Sequence, residues 1–473
     1  MIDGLKPYRE LRDSGVSWLG AVPKHWDVGR LKYVLRERDL RSADGTEQLL
    51  RVSQFTGVTE RKGIGEEDEP DTRAQSLVGY KRVEPNDLVI NIMLAWNGSM
   101  GVSSFAGIAS PAYCVYRFKA GAEPWYFHHL LRSPTYRARI KAVSTGVVES
   151  RLRLYTDDLF RLEALVPPAS EQAAIVRFLD HADRRIRRYI GAKQKLVKLL
   201  EEQKQAIIHR AVTRGLDPEA RLKPSGVEWL GDVPEHWEVR RVKEVSEVLR
   251  GKFTHRPRND PSLYDGPYPF IQTGEVARAG QSITRYRQTL NDRGLAVSKM
   301  FPAGTLVMTI AANIGDVAVL DFDACFPDSV VGFLPRDEVL RDYLYYVFRA
   351  MKLELLREAP INTQGNLNVD RISSRRIALP PTSEQRTIVG RIEKRTRALS
   401  VTIASAQREI ALLHEYRTRL VADLVTGKLD VREAAARLPD EADEPEALDD
   451  GEAEASDDED AATLDVALEE AEP

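Results

Sequence analysis

Cysteine is scarce: only Cys114 and Cys325 occur in 473 residues, far apart in the chain. A disulfide framework and a cysteine-based zinc site are thereby excluded, and a reducing, cytoplasmic setting is expected. No apolar run approaches the roughly 20 residues a membrane helix requires, and the opening MIDGLKPYRE lacks the charged-then-apolar layout of a secretory leader. Catalytic signatures are missing as well. There is no Gly-x-x-x-x-Gly-Lys-Ser/Thr loop for a nucleoside triphosphate. The Pro-Pro pairs follow Val166 and Leu379, not the Asn or Asp of an adenine methyltransferase tetrad. The eight histidines show no His-Glu-x-x-His spacing. No active site and no metal site are expected in this chain.

What is present is a balance of 42% hydrophobic and 30% charged residues, that of a soluble globular protein, over a length that calls for two or three domains. The net charge of −4 conceals an asymmetry. Residues 440–472 hold 17 acidic residues and no Lys or Arg, which leaves 55 acidic against 68 basic residues in the rest. A body this basic suits a polyanion, whose neutralised phosphates release counterions. The tail has too few apolar residues to offset its ordering entropy, so disorder is expected over 431–473. Shielding of the basic body and plain solubility both fit it.

The chain repeats itself. SGVSWLGAVPKHWDVGRLK begins at Ser14 and SGVEWLGDVPEHWEVRRVK at Ser225, so that Trp18 matches Trp229 and Trp26 matches Trp237. VPPASEQAAIV begins at Val166 and LPPTSEQRTIV at Leu379, 213 residues later. Each copy of the second motif leads into a long helical pattern ending at TRGLD (213–217) or TGKLD (426–430). Between these frames the halves diverge. The Trp motif reads as a turn-rich structural segment, because exposed indoles are costly.

In the helical patterns, Ser170 and Ser383 stand where N-caps are expected, each followed by Glu and Gln in the first turn. Apolar residues then recur in steps of three and four: Ile175, Leu179, Ala182, Ile186, Tyr189, Leu196, Leu200 and Ile207 in the first helix; Val389, Ile392, Leu399, Ile403, Ala406, Ile410, Leu413, Leu420 and Leu424 in the second. At roughly 60 Å each, these stripes need a partner, and each other is the obvious one. Chain order makes the pair antiparallel. The fold class expected is α+β: two mixed α/β domains separated by an antiparallel coiled coil, with pseudo-twofold symmetry. The boundaries are 1–168 and 218–381 for the domains, 169–217 and 382–430 for the helices.

Within the domains, strands are predicted over 87–93, 112–118, 305–310, 316–320 and 330–334, with helices over 125–132, 135–142 and 338–357. Polar and basic residues gather in the loops. Arg and Lys fork onto guanine or grip phosphates, and Asn and Gln pair with adenine. In domain one the candidates are Ser53, Gln54, Asn91, Trp96, Asn97, Ser99, Arg151 and Arg153. In domain two they are Arg250, Lys252, His255, Arg256, Arg258, Gln272, Thr273 and Asn313.

The repeated WLGxVPxHW, the repeated PPxSEQxxIV at the head of each coil, and the stretches AWNGSMGVSS (95–104) and YPFIQTGEV (268–276) resemble the specificity subunit of type I restriction-modification systems. The resemblance covers residues 1 to about 430. It implies that each variable domain reads one half of a bipartite double-stranded DNA site. It implies that the helices fix the spacer and dock two methyltransferase subunits, and that two motor-nuclease subunits complete a complex that methylates adenine and cleaves DNA. S-adenosylmethionine, ATP and Mg2+ would be bound by those partners. Two other readings remain. A specificity subunit could serve a methyltransferase alone, which a missing motor-nuclease gene would indicate. A coiled-coil adaptor without a DNA role is opposed by the basic body and the divergent domains.

Overall fold

A computed structural model describes residues 5–61, 76–148, 151–357 and 368–439. The chain divides into two compact units, Met1–Gln194 with Gln407–Pro473, and Lys195–Ala406. The first long helix runs Ala169–Arg214 and the second Thr382–Val425, so each helix contributes to both units.

In unit one, an antiparallel sheet is built from β2 (Leu35–Arg38), β5 (Leu88–Asn91), β6 (Met100–Val102) and β7 (Tyr113–Phe118), in the order β2-β7-β5-β6. All four β5 residues are buried, as the unbroken apolar run LVI demands. A short pair joins β1 (Asp27–Arg30) to β8 (Glu163–Val166), and β3 (Leu50–Ser53) forms a hairpin with β4 (Gly57–Glu60). Helices α1 (Pro124–Arg132) and α2 (Pro134–Val143) each begin on a proline, whose missing N–H costs nothing in a first turn. Their buried Tyr126, Phe127, Leu130, Tyr136 and Ile140 join one core with Ile175, Phe178 and Leu179 of the first long helix and Leu420 and Leu424 of the second.

Unit two has a five-stranded sheet and a four-stranded one. The first takes β10 (Ser246–Arg250), β18 (Val330–Pro335), β15 (Leu306–Thr309), β16 (Val317–Leu320) and β12 (Ser282–Ile283) in that order. The second takes β13 (Gln288–Leu290), β11 (Tyr264–Phe270), β17 (Ala324–Cys325) and β14 (Met300–Phe301). β9 (Glu238–Arg241) pairs with β19 (Arg376–Leu379) as β1 does with β8. Between β11 and β12 lies α3 (Thr273–Arg278), and after β18 comes α4 (Arg341–Arg357), whose apolar face joins a core with Ile208, Ala211 and Val212 of the first long helix and Ile388 and Ile392 of the second.

The long helices pack antiparallel. In unit one Asp183 pairs with Arg417 and Lys193 with Glu409 (2.8 Å), so one helix ascends as the other descends. Burial keeps part of the seam: Ile190, Ile208 and Ile388 are buried, whereas Tyr189 and Leu196 are exposed and Ile207 and Val389 only half-buried. A step of four after Ile186 carries the seam past Tyr189, because 3.6 residues per turn drift against a strict heptad. Two further expectations are corrected. Ser170 and Ser383 are exposed inside the first turn, one step beyond the helix starts. Pro168 and Pro381 carbonyls instead accept the first intrahelical bonds, from Glu171 and Glu384 at 2.8 and 2.9 Å. Residues 431–439, expected in the tail, are folded: Arg432–Ala436 is helical, and Val431 and Ala435 are buried in the core of unit one. The acidic stretch 440–473 lies outside the described residues.

Candidate nucleic-acid interface and its junctions

Both repeated motifs fold to one purpose. Leu11–Asp13 pairs with Ala21–Pro23, and Leu222–Pro224 pairs with Asp232–Pro234, each hairpin delivering a Trp to the head of a long helix. Trp26 and Trp237 are almost wholly buried. In unit one the Glu171 carboxylate accepts hydrogen bonds from Trp26 Nε1 (3.0 Å) and from the Tyr8 hydroxyl, and meets His25 Nε2 at 2.8 Å. Burial and then Glu171 push the Tyr8 phenol far up, so it stays a donor. In unit two Glu384 meets His236 Nε2 at 2.9 Å. The neighbouring Gln performs the same task twice. Gln172 accepts from the Glu123 amide (2.8 Å) and donates to the Pro167 carbonyl (2.7 Å). Gln385 accepts from the Leu340 amide (2.8 Å) and donates to Pro380 (2.9 Å). The SEQ triplet thus pins the domain helix that follows Glu123 or Leu340 to the head of a coil helix. The opposite helix ends at the same place. Gly215 and Gly427, at φ of 73°, end their helices against the indoles: a Cβ on Gly427 would lie 3.1 Å from Trp26, and one on Gly215 3.2 Å from Trp237. Tyr126 and Tyr343 close each junction by donating to a domain-strand carbonyl, Leu165 at 3.1 Å and Ala378 at 2.8 Å.

The candidate loops sit on the domains these junctions hold. In unit one Ser53, Asn91, Asn97 and Ser99 are buried, which corrects the expectation that they face a DNA edge. Asn97 Oδ1 accepts from the Ser99 amide (3.1 Å) and hydroxyl (2.8 Å); Asn91 Oδ1 accepts from the Met93 amide (3.1 Å); Ser53 Oγ accepts from the Phe55 amide (3.1 Å). Asn and Ser serve turns as well as base edges, and here the turns take them. Trp96 is half-buried, donates to the Met93 carbonyl (3.1 Å) and lies under Lys141. Gln54 is half-buried, whereas Arg151 and Arg153 are exposed.

Arg132, which the sequence did not single out, joins two of these loops. Its guanidinium donates to the carbonyls of Gln54 (2.9 Å) and Phe55 (2.7 Å) at the β3–β4 turn, and to Gly98 (3.2 Å) and Met100 (2.5 Å) at the start of β6. Burial, with Arg137 and Arg417 nearby, pulls it down to about 10, so it remains charged at neutral pH. His128 beside it accepts the Val102 amide on Nδ1 (3.1 Å), which requires that nitrogen to be unprotonated.

In unit two Arg250, Lys252, Arg256, Arg258, Gln272 and Asn313 are exposed, and His255 and Thr273 half-buried. Asp328 holds both Arg256 (3.4 Å) and Arg258, and Asp260 holds His255 (3.1 Å). Asn313 lies on the tight β15–β16 turn, apart from the others. Arg258, Gln272 and Thr273 come together with Asn259, Gln288 and Ser329 around a cavity of about 320 Å³. Of that group, Asn259, Gln288 and Ser329 were missed; Asn259 lies inside the basic stretch 250–260 and could have been read with it, whereas Gln288 and Ser329 stand in no motif of the sequence. Among the described residues, no group of three or more His, Cys, Asp or Glu could hold a metal ion, and no helix is long and apolar enough to cross a membrane.

Known proteins share this arrangement. The type I restriction modification DNA specificity domain matches residues 234–407. The MjaVIII specificity subunit of Methanocaldococcus jannaschii, a type I restriction enzyme component, is 20% identical over 436 residues, spanning 87% of this chain and 94% of that one. The EcoKI specificity subunit of Escherichia coli is 21% identical over 344 residues, 66% of this chain and 68% of that one. A solved chain from a study of assembly and conformational transition in the type I R-M system superposes with a TM-score of 0.60 at 19% identity, covering 85% of this chain and 98% of that one, and so shares the fold. The chain thus carries a match to the type I restriction modification DNA specificity domain over residues 234–407 and is similar to these specificity subunits along most of its length.

Proposed function

We propose that this chain reads double-stranded DNA for a type I restriction-modification complex, each domain recognising one half of a bipartite site. The observation that carries this is the repeated junction: two domains with unlike loops are fastened to paired helices by the same Trp, Glu-Gln and Gly residues. A shared mount with differing contents is what two independent readings on one scaffold require. The paired helices would set the spacer and dock two methyltransferase subunits, with two motor-nuclease subunits completing the assembly. Methylation and cleavage would be theirs, with S-adenosylmethionine, ATP and Mg2+ bound there. The DNA-facing residues are taken to be the exposed or half-exposed candidates: Gln54, Trp96, Arg151 and Arg153 in domain one, and Arg250, Lys252, His255, Arg256, Arg258, Gln272, Thr273 and Asn313 in domain two. Exchanging residues 250–370 for the segment of another family member, within the complex, tests it. Methylome sequencing should show one half of the site replaced and the other untouched. Both halves changing in an active hybrid would overturn independent reading.

A further inference from the structure

The cavity of about 320 Å³ lined by Gln272 and Gln288 has a wall with an unusual property. The Gln272 side chain donates through Nε2 to Gln288 Oε1, joining two amides edge to edge. Each amide carries one acceptor oxygen and one donor nitrogen. A single bond between them consumes one of each, so the pair still presents one free carbonyl oxygen and one free NH2 group. This holds whichever way the two amides are turned, because reversing both simply exchanges the roles. The Gln272 backbone is fixed at the head of α3: its N–H donates to the Glu275 carboxylate (3.1 Å), and its carbonyl accepts from the Glu275 and Val276 amides (3.2 and 3.4 Å). Gln272 is exposed and Gln288 half-exposed, so the free groups are open to a ligand.

Beneath them the cavity is floored by Phe253 and Phe270, both buried, with ring centroids 5.1 Å apart. An apolar floor excludes water and strengthens hydrogen bonds made at the rim. Arg258, held by Asp328, also lines the cavity.

Among base edges in the major groove, only adenine places an acceptor (N7) beside a donor (N6–H). Guanine shows two acceptors, cytosine a donor, thymine an acceptor beside a methyl group. We infer that the Gln272–Gln288 pair is an adenine reader, each amide making one of the two bonds that a lone Gln or Asn makes in the usual bidentate contact. The inference rests on the DNA-reading function proposed above and adds to it the base and the residues. Gln288 thereby becomes a specificity-determining residue. Arg258 is left to the flanking backbone or a neighbouring guanine.

The test uses the full chain with its methyltransferase subunits. Methylome mapping gives the bipartite site, and the 250–370 exchange assigns the half read by domain two. The complex then methylates a duplex panel carrying all four base pairs at each position of that half. For Gln272→Ala/Gln288→Ala, discrimination at one A·T position should fall on the order of 10- to 100-fold, with every other position and the other half unchanged. Gln288→Glu should do more than relax the site. Its carboxylate keeps one hydrogen of the Gln272 NH2 as donor and replaces the free Gln288 NH2 by an acceptor, so preference should move toward cytosine, whose N4–H2 is a donor. Unchanged discrimination at every A·T position, in variants with parental thermal stability, would overturn the inference. So would a half-site without an A·T pair, or a uniform loss over the whole panel, which marks a phosphate contact. Failure of the parental complex to methylate any defined site would remove the functional reading itself, a result separable from all of these.

Discussion

The two junctions are built from one motif and fastened differently. In unit one, Glu171 is 3% exposed and gathers Trp26, Tyr8 and His25. In unit two, Glu384 is 29% exposed and takes only His236, while Trp237 Nε1 is buried without a hydrogen-bond partner among the described residues. The residue in register with Tyr8 is Glu219, which is exposed. Connectivity supplies the reason. In unit two the end of the first long helix runs covalently into the Trp hairpin. In unit one the end of the second long helix meets residues 5–8 only through non-covalent bonds: the Asp430 amide donates to the Lys6 carbonyl at 2.7 Å, and Arg432 pairs with Asp430 and lies over the Tyr8 ring. Where the chain closes the loop itself, closure entropy is already met. Where it does not, buried polar bonds hold the ends together.

The largest effect expected from this contrast is at the glutamates. Glu171→Ala leaves the Tyr8 hydroxyl and Trp26 Nε1 buried and unsatisfied, a loss of roughly 2–5 kcal/mol. Glu384→Ala removes one part-exposed contact and should cost about 1 kcal/mol or less. Denaturant unfolding followed by Trp fluorescence measures both, and hydrogen exchange localises the opening to residues 5–30 and 420–435. Equal losses would break the comparison.

Acid should separate the units next. Unit one holds the adjacent pair His128 and His129 on α1; burial drives His129 down to about 4 and His128 well below its usual value. The folded state therefore binds these protons more weakly than the unfolded chain. Stability is complete above the unfolded value of about 6.5 and is lost as pH falls toward 4. The histidines of unit two, His209, His236 and His255, are exposed or half-exposed. Between pH 7 and 5, hydrogen exchange should show earlier loss of protection around β6 and α1 than in the unit two sheets, starting with the Val102 amide that His128 accepts. Parallel loss in both units would contradict this.

The smallest effect sharpens the comparison most directly. Trp26→Phe and Trp237→Phe remove the same atoms, but only Trp26 loses a hydrogen bond. The first should cost about 1 kcal/mol more than the second, read as the difference between their unfolding midpoints at constant m-value. A difference of zero would mean that Trp26 Nε1 adds nothing to the Glu171 cluster.

Much of this architecture is legible in the sequence, for reasons of range. Periodicities of two and 3.6 are local, and the predicted strands over 112–118 and 330–334 and the helix over 338–357 appear as Tyr113–Phe118, Val330–Pro335 and Arg341–Arg357. The duplication announces two like mounts, and chain order alone makes the long helices antiparallel. Residue type is a poorer guide to the site. Asn97 and Ser99 carry the right chemistry for a base edge, yet their polar atoms are spent within three residues of each other. Tertiary structure decided what no local pattern encodes. It brought Arg132 onto carbonyls 77 and 78 residues away, at Phe55 and Gln54, and set Gln288 against Gln272 in the wall of one cavity. Hydrophobic patterning needs only a side of a helix or strand, and the sequence states that directly. A polar atom's partner depends on where another segment comes to rest, and only the packed chain settles that.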